Sequence, residues 1–168
     1  MSTEQQSKMI DYLIQGETKT DIGKLLGVSR QTIHVWSQLK EVEEILREYK
    51  HFKAYIRIFE LNKEIHPNDE DYVKKQDKKI EYYKKMDLNV NRCLQTLSED
   101  EFNFLQEIYF NNKTYRQILP LIKKIRYGDE NIDKKMTTNI STLLNYTGTE
   151  VKKTILNKLL NENILEVA

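Results

Sequence analysis

The sequence predicts an all-α, mainly helical protein. Glycine and proline are scarce, with five and two in 168 residues, which argues against turn-rich β architecture. Apolar residues recur at steps of three and four along most of the chain. The patterns at 41–66 and 69–97 are longer than a small helical module needs. Three domains are expected: a small helical unit at 1–40, a central pair of long helices at 41–97, and a C-terminal bundle at 98–168.

Composition narrows the function classes. Hydrophobic residues make up 39% and charged residues 32%, enough for a core under a heavily charged surface. The net charge is +1, so any contact with nucleic acid must come from local clusters. The single cysteine, Cys93, cannot form an intramolecular disulfide and reads as a core residue. No apolar run approaches a membrane span, and the polar start MSTEQQSK lacks a signal-peptide core. A soluble, cytoplasmic protein is expected.

Met9, Ile10, Leu13 and Ile14 share one face of a first helix, which Gly16 stops. Thr18 or Thr20 can cap the next helix, where Ile22, Leu25 and Leu26 are apolar. Gly23 stands where two crossing helices must come close. Gly27 follows the helix at a position suited to a left-handed backbone. Val28 can plug the space between the helices, and Ser29 can cap a helix running from Arg30 to about Leu39. That helix turns Ile33 and Trp36 inward and shows Arg30, Gln31, His34 and Gln38 outward. Arginine pairs with guanine edges and glutamine with adenine edges, so the outward face has base-reading chemistry. A plain helical hairpin with a glycine turn is the competing reading. The joint occurrence of Gly23, Gly27-Val28-Ser29 and Ile33 argues against it.

On Ile22, Gly23, Leu26, Gly27, Val28, Ile33 and Trp36, the stretch 19–38 resembles the helix-turn-helix of bacterial and phage repressors and small phage regulators. The resemblance implies double-stranded DNA as partner. It points to Ser29, Arg30, Gln31, His34 and Gln38 as direct contacts, with Thr32 and Lys40 nearer the backbone. One short motif binds weakly, so a homodimer is expected, with 41–97 as the natural element for it.

In that central region Val42, Ile45, Leu46, Tyr49, Phe52, Ile56 and Phe59 continue the helical pattern to Ile65, and Pro67-Asn68 break it. Val73, Ile80, Tyr83, Met86, Val90, Leu94 and Leu97 form a second pattern near heptad spacing. An antiparallel hairpin and a coiled-coil dimer arm both fit. Twelve basic and twelve acidic residues leave 41–97 without a net field.

Ser98 to Glu101 reads as a capping box, followed by a helix burying Phe102, Leu105, Ile108 and Tyr109 and ending at Asn111-Asn112. Tyr115, Ile118, Leu119, Ile122 and Ile125 define another helix, kinked or restarted at Pro120. A turn follows at 127–129, and a polar loop is expected over 129–136. At the C-terminus, Ile140, Leu143 and Leu144 form one face, and Asn145 stands where Gly27 stands in the first motif. A helix over 149–162 follows, then a short strand at 164–167. This segment resembles the recognition helix and first wing strand of MarR-like winged-helix regulators, with Asn163 in place of a glycine. The exposed face would carry Thr147, Thr149, Lys152, Lys153 and Asn157. Lys152 and Lys153 are candidates for phosphate contact, with Lys123, Lys124, Arg126, Lys134 and Lys135 nearby. A packing or dimerisation role for this unit is an equal alternative.

Nothing in the sequence argues for catalysis. His34, His51 and His66 lie in different segments without metal-ligand spacing, and no phosphate loop or nucleophile elbow occurs. No cofactor or metal is expected. The leading expectation is a sequence-specific DNA-binding transcriptional regulator of a phage or mobile element. A replication, partition or packaging factor resembling a small terminase subunit is one alternative. A protein-binding antirepressor or adaptor, with a regulatory protein as partner, is another.

Overall fold

The computed structural model describes residues 1–128 and 140–166, with backbone alone for Thr3 and 140–144. Among the described residues every regular element is helical and none is a strand. The chain divides into two compact units, Met1–Glu41 and Val42–Ala168.

The first unit holds α1 (Thr3–Ile14), α2 (Lys19–Leu26) and the start of α3 (Arg30–Tyr49). Ser2 and Gln5 form a capping box on α1, and Thr18 caps α2 by accepting from the Asp21 amide. Met9, Ile22 and Ile33, one from each helix, are buried together. Ile10, Leu13, Leu26, Val28 and Trp36 pack around them. Each fully buried side chain of this kind contributes about 1.5–3 kcal/mol. Gln5 on α1 donates to the Leu26 carbonyl, which satisfies one of the orphan acceptors at the end of α2. Two residues expected on the buried faces are exposed instead: Ile14 at 79% and Leu25 at 59%. Both sit at the last turn of a helix, beyond the reach of the three-residue core.

Helix α3 differs from expectation. It does not end near Leu39 but runs unbroken to Tyr49. The break falls at Lys50-His51, inside the helix expected over 41–66, and α4 (Phe52–Ile65) starts there. No glycine or proline marks the site. The bend lets Phe52 turn onto α5 (Glu70–Leu94), where its ring lies 5.4 Å from that of Tyr83.

In the second unit α4 and α5 form the antiparallel hairpin, with the turn at Pro67 and an Asp69 cap on α5. Tyr55 and Phe59 join Phe52 around Tyr83 at 5.2 and 5.8 Å. Ser98 and Glu101 cap α6 (Glu99–Leu105) as a capping box. A π-helical turn, Gln106–Phe110, follows directly, closed by the Asn111 amide on the Gln106 carbonyl. Pro120 lies in the first turn of α7 (Leu119–Tyr127), so the helix starts there, not at Tyr115. Cys93 is buried, as its composition suggests, and its thiol donates to the Glu162 carbonyl at 3.3 Å.

The C-terminal segment departs most from the sequence reading. Helix α8 (Ile140–Asn161) runs straight through Asn145, so no second helix-turn-helix forms. Residues 162–165 make a turn, not the expected wing strand, and Val167 lies outside the described residues. Asn163, left-handed at φ 61°, is the residue that stops α8. The Ile164 amide reaches back to the Leu159 carbonyl at 3.2 Å and the Asn163 amide to Leu160 at 3.0 Å. That pair of bonds is the Schellman motif, and Ile164 is fully buried as its apolar anchor. Asn89 and Arg92 of α5 hold the turn by donating to the carbonyls of Glu162, Asn163, Ile164 and Glu166. The polar loop expected at 129–136 lies outside the described residues.

Glu101 ties α6 to α8. Burial alone would raise its carboxyl pKa. The hydrogen bond from Lys158, the Ser98 amide at 3.0 Å and the Lys158 charge outweigh burial and hold it below the ordinary glutamate value. A lowered folded-state pKa stabilises the fold at pH above the ordinary value, and that contribution is lost as pH falls through the lowered one. Thermal melts should therefore show Tm dropping as pH is lowered below about 4.3, and Glu101→Gln should remove part of that acid dependence. An identical acid profile for wild type and Glu101→Gln would contradict this assignment.

Candidate nucleic-acid interface

The interface begins with the turn that joins α2 to α3. Gly27 is left-handed at φ 67°. The Val28 amide donates to the Gly23 carbonyl at 2.9 Å, closing a Schellman motif in which Val28 is the apolar anchor. Gly23 supplies the close approach. A Cβ there would stand 2.8 Å from the Val28 carbonyl oxygen and 3.4 Å from the Arg30 amide. Any side chain at 23 would push the start of α3 off α2. Ser29 caps α3, its hydroxyl accepting from the Thr32 amide at 3.0 Å. The same hydroxyl lies 2.9 Å from that of Thr32. Both side chains are thus committed to one another and to the helix end, which leaves them less able to read a base.

The first turns of α3 carry the outward face. Arg30 and Gln31 are exposed, while His34 and Gln38 are half-buried. At 100° per residue these four fall within about 100° of the helix circumference, on the side opposite Ile33 and Trp36. Thr32 and Lys40, both half-buried, lie off this face. Arg30, Gln31 and His34 line one groove together with Lys19 from the first turn of α2.

Lys19 is the residue that sequence reading missed. Its ammonium lies 3.1 Å from Nδ1 of His34. An ammonium can only donate, so Nδ1 accepts and the imidazole proton sits on Nε2. The groove therefore offers donors from three side chains, Lys19, Arg30 and His34, with Gln31 able to donate and accept. One signal did exist in the sequence: a lysine opening a helix opposes the helix dipole, so its place there is not explained by the helix itself. Two other lysines of this unit have acidic neighbours. Lys8 pairs with Glu4 at 2.6 Å, and Lys24 approaches Asp21 at 3.9 Å.

The C-terminal lysines stand differently. Lys152 is not on an open face. It is half-buried and pairs with Glu43 of α3 at 2.8 Å, within the second unit. The Tyr109 hydroxyl donates to the same Glu43 oxygen at 2.8 Å, and Arg47 lies over the Tyr109 ring at 5.3 Å. Burial, then the Glu43 charge, push the Tyr109 pKa far above its ordinary value, so the hydroxyl keeps its proton as donor. Lys153 and Asn157 are half-buried, and Thr147 is buried, not exposed; only Thr149 is exposed as expected. Of the nearby basic candidates, Lys124 pairs with Asp100 at 3.0 Å, Lys123 is half-buried and Arg126 exposed. Lys134 and Lys135 lie outside the described residues.

Among the described residues no group of three or more histidine, cysteine, aspartate or glutamate side chains is placed to hold a metal ion. No helix among them is long and apolar enough to cross a membrane.

Residues 1–95 match a family of the IS630 helix-turn-helix type, described as Transposase. No curated protein and no solved structure matches the chain.

The Lys152 pairing has a measurable consequence. Glu43→Ala would strand a half-buried ammonium and the Tyr109 hydroxyl, and should cost about 2 kcal/mol, less than the ~3–5 kcal/mol of a fully buried pair. Lys152→Ala should also lower Tm while leaving the salt slope of DNA binding unchanged. A flattened slope with unchanged Tm would return Lys152 to phosphate contact.

Proposed function

The chain belongs to the IS630-type helix-turn-helix transposase family through more than half its length, and on that premise we propose that it is a sequence-specific DNA-binding protein of a mobile element. The observation that carries this reading is the groove of Lys19, Arg30, Gln31 and His34 on a helix whose start is fixed by Gly23, Gly27 and Ser29. The N-terminal part of α3 enters a major groove, with Arg30 donating to guanine N7 and O6 and Gln31 pairing with adenine. His34 donates through Nε2 to a base acceptor or a phosphate, and Gln38 extends the same face. Ser29, Thr32 and Lys40 lie at the edge of the contact, where phosphate oxygens pass. The role assigned to these residues is binding, not chemistry.

Two biological uses follow. One is transcriptional regulation, in which a dimer occupies an operator. The family relationship favours a second: recognition of element DNA by the helix-turn-helix during transposition. Residues 41–97 serve pairing of two copies of the chain in either case, and Lys152 takes no part in DNA contact.

Arg30→Ala combined with Gln31→Ala tests the reading face. Each good bidentate contact is worth about 1–3 kcal/mol of discrimination. The double variant should lose its preference for a selected duplex over a scrambled one by about tenfold or more. Its helical circular dichroism should be unchanged, because both side chains are exposed. Intact preference in fluorescence anisotropy titrations would show that another surface reads the DNA.

A further inference from the structure

Helix α4 has two apolar faces. Phe52, Tyr55, Ile56 and Phe59 lie on one, and three of these rings surround Tyr83 of α5. The opposite face carries Ala54, Ile58, Leu61 and Ile65, all exposed, with Ile58 at 49%, Leu61 at 39% and Ile65 at 67%. Their steps of four, three and four are the a/d spacing of a helix that seats against another helix. Nothing in the hairpin covers this seam.

The charges beside the seam say what would cover it. Lys53 and Arg57 flank its N-terminal half, and Glu60 and Glu64 its C-terminal half, on one side of the helix. The helix dipole disfavours that order, which puts cations at the positive end and anions at the negative end. Within the helix the return is small: Arg57 reaches Glu60 only at 3.8 Å, with Arg57 exposed and Glu60 half-buried. The pattern is rewarded by a second helix of the same sequence running antiparallel. A two-fold axis then sets Lys53 and Arg57 of each copy beside Glu60 and Glu64 of the other. The same axis layers Ala54 against the other copy's Ile65, and Ile58 against its Leu61.

We propose that the outer face of α4 is the docking surface for a second copy of this chain, paired antiparallel through Ala54, Ile58, Leu61 and Ile65. A parallel pair would set Arg57 beside Asn62 of the other copy and leave the charge order without purpose. The proposal deepens the dimeric reading of the DNA-binding function, on which it depends only for its purpose, because the pairing is measured without DNA.

Sedimentation equilibrium of the full chain should give a dimer, and Leu61→Glu should give a monomer with unchanged helical circular dichroism. Arg57→Glu should weaken the dimer by about tenfold through two symmetric like-charge contacts. Adding Glu64→Arg to it should restore most of that loss. Chains carrying Ala54→Cys mixed with chains carrying Ile65→Cys should form a mixed disulfide under mild oxidation, whereas neither variant alone should. A wild-type monomer at about 100 μM, well above the Kd range of specific dimers, overturns the proposal. So does a dimer indifferent to Leu61→Glu, or an Ile65→Cys homodisulfide, which marks a parallel pair. Loss of DNA preference in Arg30→Ala/Gln31→Ala with the dimer intact, or the reverse, separates the two readings.

Discussion

The left-handed turn at Gly27 is the constraint on which the N-terminal unit depends. It lets the chain reverse within Gly27-Val28-Ser29, drops Val28 into the core and starts α3 at Arg30. Gly23 makes the same turn fit by leaving no atom where the Val28 carbonyl must pass. The geometry is cheap in residues but strict in kind. Two glycines and a serine set the axial position and rotation of α3, and with them the direction of Arg30, Gln31 and His34. Met9, Ile22 and Ile33 then hold three helices with three buried side chains. The unit is small, and its stability rests on that cluster and its caps.

The second unit solves a different problem. Its ends are fixed by polar side chains that reach backbone groups: Asn89 and Arg92 on the turn after α8, and Ser98 with Glu101 at the start of α6. Glu43 collects both the Tyr109 hydroxyl and the Lys152 ammonium. Such clusters cost desolvation and return it only when every member is satisfied. They specify how α3, the π-helical turn and α8 meet inside this unit, where apolar packing alone would allow sliding. The same cluster holds the Lys152 ammonium on Glu43. The contact proposed for nucleic acid is the groove of the first unit.

Much of this was legible in the sequence, and the failures have physical reasons. The turn residues Gly23, Gly27, Val28 and Ser29 act over a few positions, so local chemistry identifies them and the helices beside them. Caps at Thr18 and Ser98 and the hairpin turn at Pro67 are equally local. The break at Lys50-His51 carries no breaker residue and coincides with the packing of Phe52 on Tyr83, a contact that periodicity cannot register. Asn145 and Asn163 have the same side chain, yet only Asn163 turns left-handed, because Ile164 finds a buried seat behind it. Lys152 sits beside Glu43, which is 109 positions away in sequence. Lys19 escaped because its partner, His34, lies across the helix crossing, where spacing along one helix says nothing.

The central claim is that a near-neutral chain reads duplex DNA through one small, donor-rich groove. Selection of bound duplexes from a random pool by the full chain tests it most directly. The account predicts a defined enriched motif with guanine and adenine at the positions facing Arg30 and Gln31, and binding that weakens steeply with salt. A pool that emerges without enrichment, or with no duplex retained at about 50 mM salt, would contradict it.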